Sequence, residues 1–276
     1  MYISCSTLVC ETERYPRVAD GVRQIKDLGF ESIDLAAFED WQNVDPSYLV
    51  EEGEAWAEDF ASVLSEFDMQ MSSINAGPSA SLSDPDPASF DAYQEEFLAL
   101  VKLAERLDCP NLTVQPGKPR QDEPFEVTFA RSGRRLQKLG EMLGDDGAVT
   151  LSLEGHEGSL LEKPVHAFGM MEALWPTVGF TYDPSHFVMQ GFKLAETELL
   201  LPYVRHVHVR NASLDNMQAS MEEGIIDFEW VVFALREHDY TGAVSVEYFS
   251  GFDGEFESTL ALRDRLLELG VERSPS

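Results

Sequence analysis

Four short runs in the second half of the chain constrain its fold more than anything else in the sequence. They are Thr150-Leu151-Ser152-Leu153-Glu154, Phe180-Thr181-Tyr182-Asp183, Arg205-His206-Val207-His208 and Ala243-Val244-Ser245-Val246-Glu247. Each alternates apolar with small or polar residues and ends on a metal-ligand residue type. Residues two apart in a strand share a face, so Ser152 sits with Glu154, Thr181 with Asp183, His206 with His208 and Ser245 with Glu247. The opposite face (Leu151, Leu153, Val207, Val244, Val246) is apolar and suits a layer of helices. The ligand candidates are separated by 29, 25 and 39 residues, and each interval holds one helix and one returning strand. Three carboxylates and one imidazole converging at the C-terminal ends of parallel strands would make a divalent-metal centre.

Strand and helix patterns alternate upstream as well. Strands are predicted at Tyr2–Ser6, Ser32–Ala36, Gln70–Asn75 and Asn111–Gln115, with helices at Val18–Leu28, Glu54–Phe67, Ser89–Leu107 and Phe125–Leu143. Gly29 ends the first helix. Asp84-Pro85-Asp86-Pro87 breaks the chain before the third, and Gly144-Asp145-Asp146-Gly147 turns it after the fourth. The four runs are strands five to eight, followed by helices near Pro164–Leu174, Ala195–Leu201, Phe228–Glu237 and Glu255–Leu269. No repeat, low-complexity tract or long linker interrupts the pattern. Eight βα units in 276 residues point to one domain over residues 1–276, an α/β chain folded as a closed (β/α)8 barrel. A doubly wound open sheet accommodates that many units less well.

Composition removes several functions. No run of about 18 apolar residues is present, so no transmembrane helix is expected. Met1-Tyr2-Ile3-Ser4-Cys5 reads as a strand, not as a secretion signal. Cys5, Cys10 and Cys109 form no CxxC pair, which argues against a disulfide framework and a thiolate zinc site and for a cytoplasmic setting. Fifty acidic against 20 basic residues leave a formal charge of −30. Such a chain is repelled by nucleic acid and by anionic membranes; Arg131, Arg134 and Arg135 cluster only on one predicted helix. High acidity with few lysines suits a halophilic protein whose self-repulsion molar salt screens. An acidic mesophilic enzyme is the alternative.

Several of these segments are recognisable. Glu154-Gly155-His156, Asp183-Pro184-Ser185-His186, His206-Val207-His208 and Val246-Glu247 resemble the strand-end motifs of the xylose isomerase-like TIM-barrel superfamily, the sugar phosphate isomerase/epimerase family. So do the early Gly29-Phe30-Glu31-Ser32-Ile33-Asp34 and the late Gly224-Ile225-Ile226-Asp227-Phe228. The likeness covers nearly the whole chain and keeps the motif order. It implies that Glu154, Asp183, His208 and Glu247 ligate one divalent metal ion. An oxygen-rich set with one imidazole favours Mn²⁺, with Mg²⁺, Co²⁺ or Zn²⁺ as alternatives. The resemblance further implies that Glu154 and Glu247 act as acid and base on either side of a bound ketose, through a metal-stabilised enediolate. His186 resembles the family histidine that holds the reacting substrate oxygens. Arg210, two residues beyond His208, is expected inward at the rim, where it could hold a hydroxyl, carboxylate or phosphate.

Other residues carry weaker expectations. His156 faces either the substrate pocket or a loop, and Glu157 reads as a surface acid. His206 lies one layer deeper than His208 and is expected to bond a core neighbour instead of a metal. Asp227 is expected to cap the following helix. Phe38, Trp41, Phe187 and Phe252 could wall a sugar pocket, although ordinary packing explains them equally. Lys118, Arg120 and Arg210 are the candidate phosphate contacts. The leading function is a metal-dependent isomerase or epimerase of a small sugar, polyol or sugar phosphate, without nucleic-acid or membrane partners. A lyase of the same superfamily, an inosose or dehydroshikimate-type dehydratase, is the alternative. An endonuclease-IV-like repair nuclease is remote: it needs further zinc-binding histidines where Asn75 and Gln115 stand, and the charge opposes DNA. Family members often form homo-oligomers.

Overall fold

The computed structural model describes residues 1–39, 41, 44–144, 147–253 and 256–275. Along the chain it comprises β1 (Tyr2–Ser6), α1 (Val18–Asp27), β2 (Ser32–Ala37), α2 (Pro46–Phe67), β3 (Gln70–Ala76), α3 (Pro87–Arg106), β4 (Asn111–Val114), α4 (Phe125–Leu143), β5 (Thr150–Glu154) and α5 (Pro164–Leu174). It continues with β6 (Gly179–Tyr182), α6 (Pro184–Val188), α7 (Leu194–Thr197), β7 (Val204–Val209), β8 (Asn211–Ser213), β9 (Asn216–Ala219), α8 (Phe228–Glu237), β10 (Ala243–Val246) and α9 (Glu257–Glu268). Eight of these strands close in the order β1-β10-β7-β6-β5-β4-β3-β2, and every pairing within the ring is parallel. This is a (β/α)8 TIM barrel in a single domain, as the eight-unit pattern predicts. Among the described residues, no helix is long and apolar enough to cross a membrane.

The two faces of the strands diverge in chemistry. Leu151, Leu153, Val207, Val244 and Val246 are fully buried under the outer helices. The inward residues are small and hydroxylic, and they bond one another across the interior: Ser4 to Ser72 at 2.7 Å, Thr113 to Thr181 at 2.8 Å, and the Ser152 hydroxyl to Asn111 Oδ1 at 2.6 Å. Buried hydroxyls must find partners. The network therefore fixes which face points inward, and carries the longer polar side chains to the same side one layer higher.

Several boundaries differ from expectation. α2 begins at Pro46, not at Glu54, because Asp45 accepts from the Ser47 amide at 2.8 Å and Pro46 occupies the first turn, ahead of the apolar periodicity. The helix expected over Ala195–Leu201 is instead α7 followed by a 3-10 segment, Glu198–Tyr203, that contains Pro202. Proline supplies no amide to continue an α-helix there. Strand four stops at Val114, one residue short of Gln115. The short helix α6 and the antiparallel hairpin β8–β9 are additional elements. Asp145 and Asp146 of the predicted turn, and Glu255 at the predicted start of the last helix, lie outside the described residues.

Candidate metal and substrate site

Glu154 is the last residue of β5, His208 lies near the end of β7, and Asp183 and Glu247 directly follow β6 and β10. All four side chains are buried. Glu154, His208 and Glu247 each offer a donor atom within 4.8 Å of the others. Nδ1 of His208 lies 2.6 Å from Glu154 Oε1 and 3.6 Å from Glu247 Oε2. Asp183 Oδ1 accepts from the Ser185 amide at 2.8 Å and caps α6. Its Oδ2 sits 2.7 Å from Arg210 Nη2, an ion pair that lacks hydrogen-bond alignment. Asp183 thus joins the trio through Arg210.

Arg210 is the clearest departure from expectation, being fully buried where a rim position was predicted. Nη1 donates to Glu247 Oε2 at 2.5 Å and to the Glu247 carbonyl at 3.0 Å. Nη2 donates to His186 Nε2 at 2.9 Å, Nε donates to Ser185 Oγ at 3.0 Å, and the Phe249 ring centre lies 5.1 Å from the guanidinium carbon. Two carboxylates and a full set of acceptors offset the desolvation of this cation. Arg120, the second phosphate candidate, is held by Asp122 through contacts of 3.0 and 2.8 Å, while Lys118 is exposed.

The histidines divide by layer. His156 turns inward: its Nε2 lies 2.6 Å from Glu154 Oε2, and its ring sits 4.2 Å from that of His186. His206 bonds Asp34 Oδ2 at 2.7 Å, a core partner as expected. Asp227 caps α8, accepting from the Trp230 amide at 3.1 Å. Phe187 is core, Phe252 stacks on Tyr248 at 5.7 Å, and Phe38 packs so close to Gly77 that a Cβ there would lie 2.6 Å from its ring.

Two residues were not anticipated in these roles. Asn75 Nδ2 donates to Glu247 Oε1 at 3.1 Å, and Asp34 Oδ2 contacts both His206 and His208 at 2.7 Å. A signal existed for Asp34, since strand alternation puts it on the inward face with Ser32 and Ala36. An acid there requires partners.

Burial alone would raise both glutamates, but their neighbours differ. His208 and His156 pull the Glu154 carboxyl well below its usual range. For Glu247, burial together with the charges of Glu154 and Asp183 outweighs His208 and Arg210, and its carboxyl is raised. Glu154 is therefore the stronger acid of the pair. Burial, His156 and Arg210 hold His186 well below the ordinary imidazole value. Its neutral ring accepts from Arg210 through Nε2, so the ring proton resides on Nδ1, which has no partner among the described residues. The donor set suits a divalent ion. Three carboxylates and one imidazole are buried together, Asp183 Oδ2 has no aligned donor, and His208 Nδ1 faces two carboxylates across a gap that a proton or cation must bridge.

Comparison with known proteins places these residues in context. Residues 22–265 match the family model described as Xylose isomerase-like TIM barrel. A D-tagatose 3-epimerase-like protein superposes with a TM-score of 0.77 at 17% identity, covering 98% of each chain. A xylose isomerase-like TIM barrel protein from Mycobacterium smegmatis, solved in complex with magnesium, superposes with a TM-score of 0.74 at 19% identity over 97% of this chain and 96% of that one. In sequence, an inosose dehydratase of Bacillus velezensis is 26% identical over 132 residues, 41% of this chain and 44% of the relative. That match spans less than half of the relative's length.

Proposed function

The chain belongs to the xylose isomerase-like TIM barrel family, and from that premise we propose that it is a divalent-metal-dependent isomerase or epimerase of a small ketose or related polyol. The observation that carries the reading is the buried trio of Glu154, His208 and Glu247, whose donor atoms lie within 4.8 Å of one another, with surroundings that shift the two glutamates in opposite directions. Environments that drive two carboxyls apart are the ordinary way to assign base and acid. Glu154, Asp183, His208 and Glu247 would hold the ion, with Mn²⁺ preferred by the donor set. When bound, such an ion polarises a carbonyl and stabilises charge developing on its oxygen.

The remaining steps belong to the side chains. Glu154, ionised, removes the proton from the carbon beside the carbonyl, and Glu247, the weaker acid, returns one. His156 holds Glu154 Oε2, and Asn75 holds Glu247 Oε1, so each carboxylate presents a fixed edge. The Nδ1 proton of His186 is a donor for a substrate oxygen. Of the three candidate phosphate contacts, Arg210 and Arg120 are engaged by protein acceptors and Lys118 alone is exposed, so an unphosphorylated substrate suits this site better than a sugar phosphate.

A dehydratase is the second reading, favoured by the partial sequence match to inosose dehydratase. It begins with the same proton removal and ends in loss of a β-hydroxyl. One experiment separates the two: incubation with ketoses, inososes and their phosphates in heavy water with Mn²⁺. Deuterium beside the carbonyl in a product of unchanged formula supports the isomerase or epimerase, and loss of water supports the lyase. Absence of both exchange and turnover across the panel removes the enediolate reading.

A further inference from the structure

Asp34 lies wholly buried in the barrel interior, on β2, while His206 and His208 stand on β7, which is not a neighbouring strand. Its Oδ2 reaches across the interior to Nε2 of both rings, at 2.7 Å each. The rings are 4.9 Å apart and inclined at 87°, so two N–H groups converge on one oxygen without overlapping. The other nitrogen of His208, Nδ1, points the opposite way, toward Glu154 and Glu247. An imidazole that ligates through one nitrogen must carry its proton on the other, and that proton needs an acceptor.

We propose that Asp34 is the positioning residue that makes His208 an Nδ1 ligand: it takes the Nε2 proton in a hydrogen bond, fixing the tautomer and the ring plane. His206 holds the carboxylate in place from below as a second donor. Asp34, His206 and His208 have donor atoms close enough to suggest a cation site of their own. With Nδ1 of His208 turned to the carboxylates above, however, its Nε2 is a donor, and contacts of 2.7 Å are hydrogen-bond lengths. The assignment rests on reading Glu154, Asp183, His208 and Glu247 as a metal site.

The test is calorimetric titration of the folded protein with Mn²⁺, comparing wild type, Glu154→Gln and Asp34→Asn, with circular dichroism to monitor folding. Wild type is expected to bind one equivalent, and Asp34→Asn to bind it about 10–100-fold more weakly. Unchanged affinity in folded Asp34→Asn overturns the positioning role and leaves the metal site standing. If wild type binds no Mn²⁺, or Glu154→Gln binds it undiminished, the metal reading itself fails and the positioning role falls with it. Should Asp34→Asn not fold, ¹⁵N spectra of histidine-labelled wild type loaded with Mg²⁺ decide. A proton on Nε2 of His208 supports the assignment, and a proton on Nδ1 overturns it.

Discussion

A carboxylate buried beside imidazoles and one buried beside other carboxylates do not hold protons alike, and Glu154 and Glu247 differ in this way. Glu247→Gln keeps the shape of the side chain but removes the proton it delivers. It should lower turnover by about 10²–10⁴-fold, the range of general acid–base catalysis, and weaken Mn²⁺ binding; near-normal kcat would refute the role. Asn75→Ala removes only the donor at Glu247 Oε1. A hydrogen bond to a charged group is worth about 1.5–3 kcal/mol, so kcat should fall by roughly 10–150-fold, with a smaller change in KM. If KM alone rises, Asn75 contacts substrate instead of positioning Glu247. The four strand-end candidates were legible in the sequence because a strand's period of two and its C-terminal end specify direction and height together. The burial of Arg210 was not, since its partners Asp183, His186 and Glu247 come from other strand ends. Asp34 was hidden for the same reason: its acceptor role depends on residues more than 170 positions away.

Regular elements were legible where they belonged to the repeating βα units, and short insertions between those units were not. β8 and β9, of 3 and 4 residues, lie outside the repeating strand–helix units, and two side chains tie them down: the Tyr248 hydroxyl, which accepts from the Asn211 amide and donates to the Ala219 carbonyl at 3.0 Å each, and Asn211 itself. Asn211 Oδ1 accepts from the Ala212 and Ile226 amides at 3.0 and 3.1 Å, and Nδ2 donates to the Ser220 carbonyl at 3.3 Å. Gly224 makes room for that amide: a Cβ there would lie 1.9 Å from Asn211 Cγ. Gly224→Ala must therefore expel Asn211 and break the tie between the hairpin and the segment leading into α8. The loss should be on the order of 1–3 kcal/mol, typical of overpacking. Asp227→Ala, removing only the cap of α8, should destabilise by about 1 kcal/mol. Urea unfolding measures both, and a Gly224→Ala variant as stable as wild type would show that the hairpin is not anchored through Asn211.

Over the whole molecule, burial and charge set opposite limits on pH and salt. Burial pushes the Tyr93 and Tyr240 phenols above their ordinary value and the Cys10 thiol up to about 12. Their unfolded counterparts ionise near 10 and 9. These groups therefore favour the fold fully below about pH 9, and their contribution declines as pH rises toward their folded values. The melting temperature should drop with increasing steepness above pH 10, with part of the tyrosine absorbance change appearing only on unfolding. Reversible ionisation of all 8 tyrosines near pH 10 in folded protein would contradict this. The charge of −30 acts through closer contacts than its size suggests. α2 exposes Glu51, Glu54 and Glu58 at spacings of three and four, and of these Glu58 has the exposed Arg106 3.7 Å away. Side chains so spaced are roughly 5–6 Å apart. The screening length is about 10 Å at 0.1 M salt and about 3 Å at 1 M, so physiological salt leaves this repulsion largely intact and molar salt removes it. The melting temperature should accordingly keep rising from about 0.1 M toward molar KCl, sucrose should not reproduce the rise, and replacing Glu51, Glu54 and Glu58 by Gln should flatten it. A melting temperature already level at the lower concentration would mean that only long-range charge matters, and the halophilic reading of the composition would lose its physical basis.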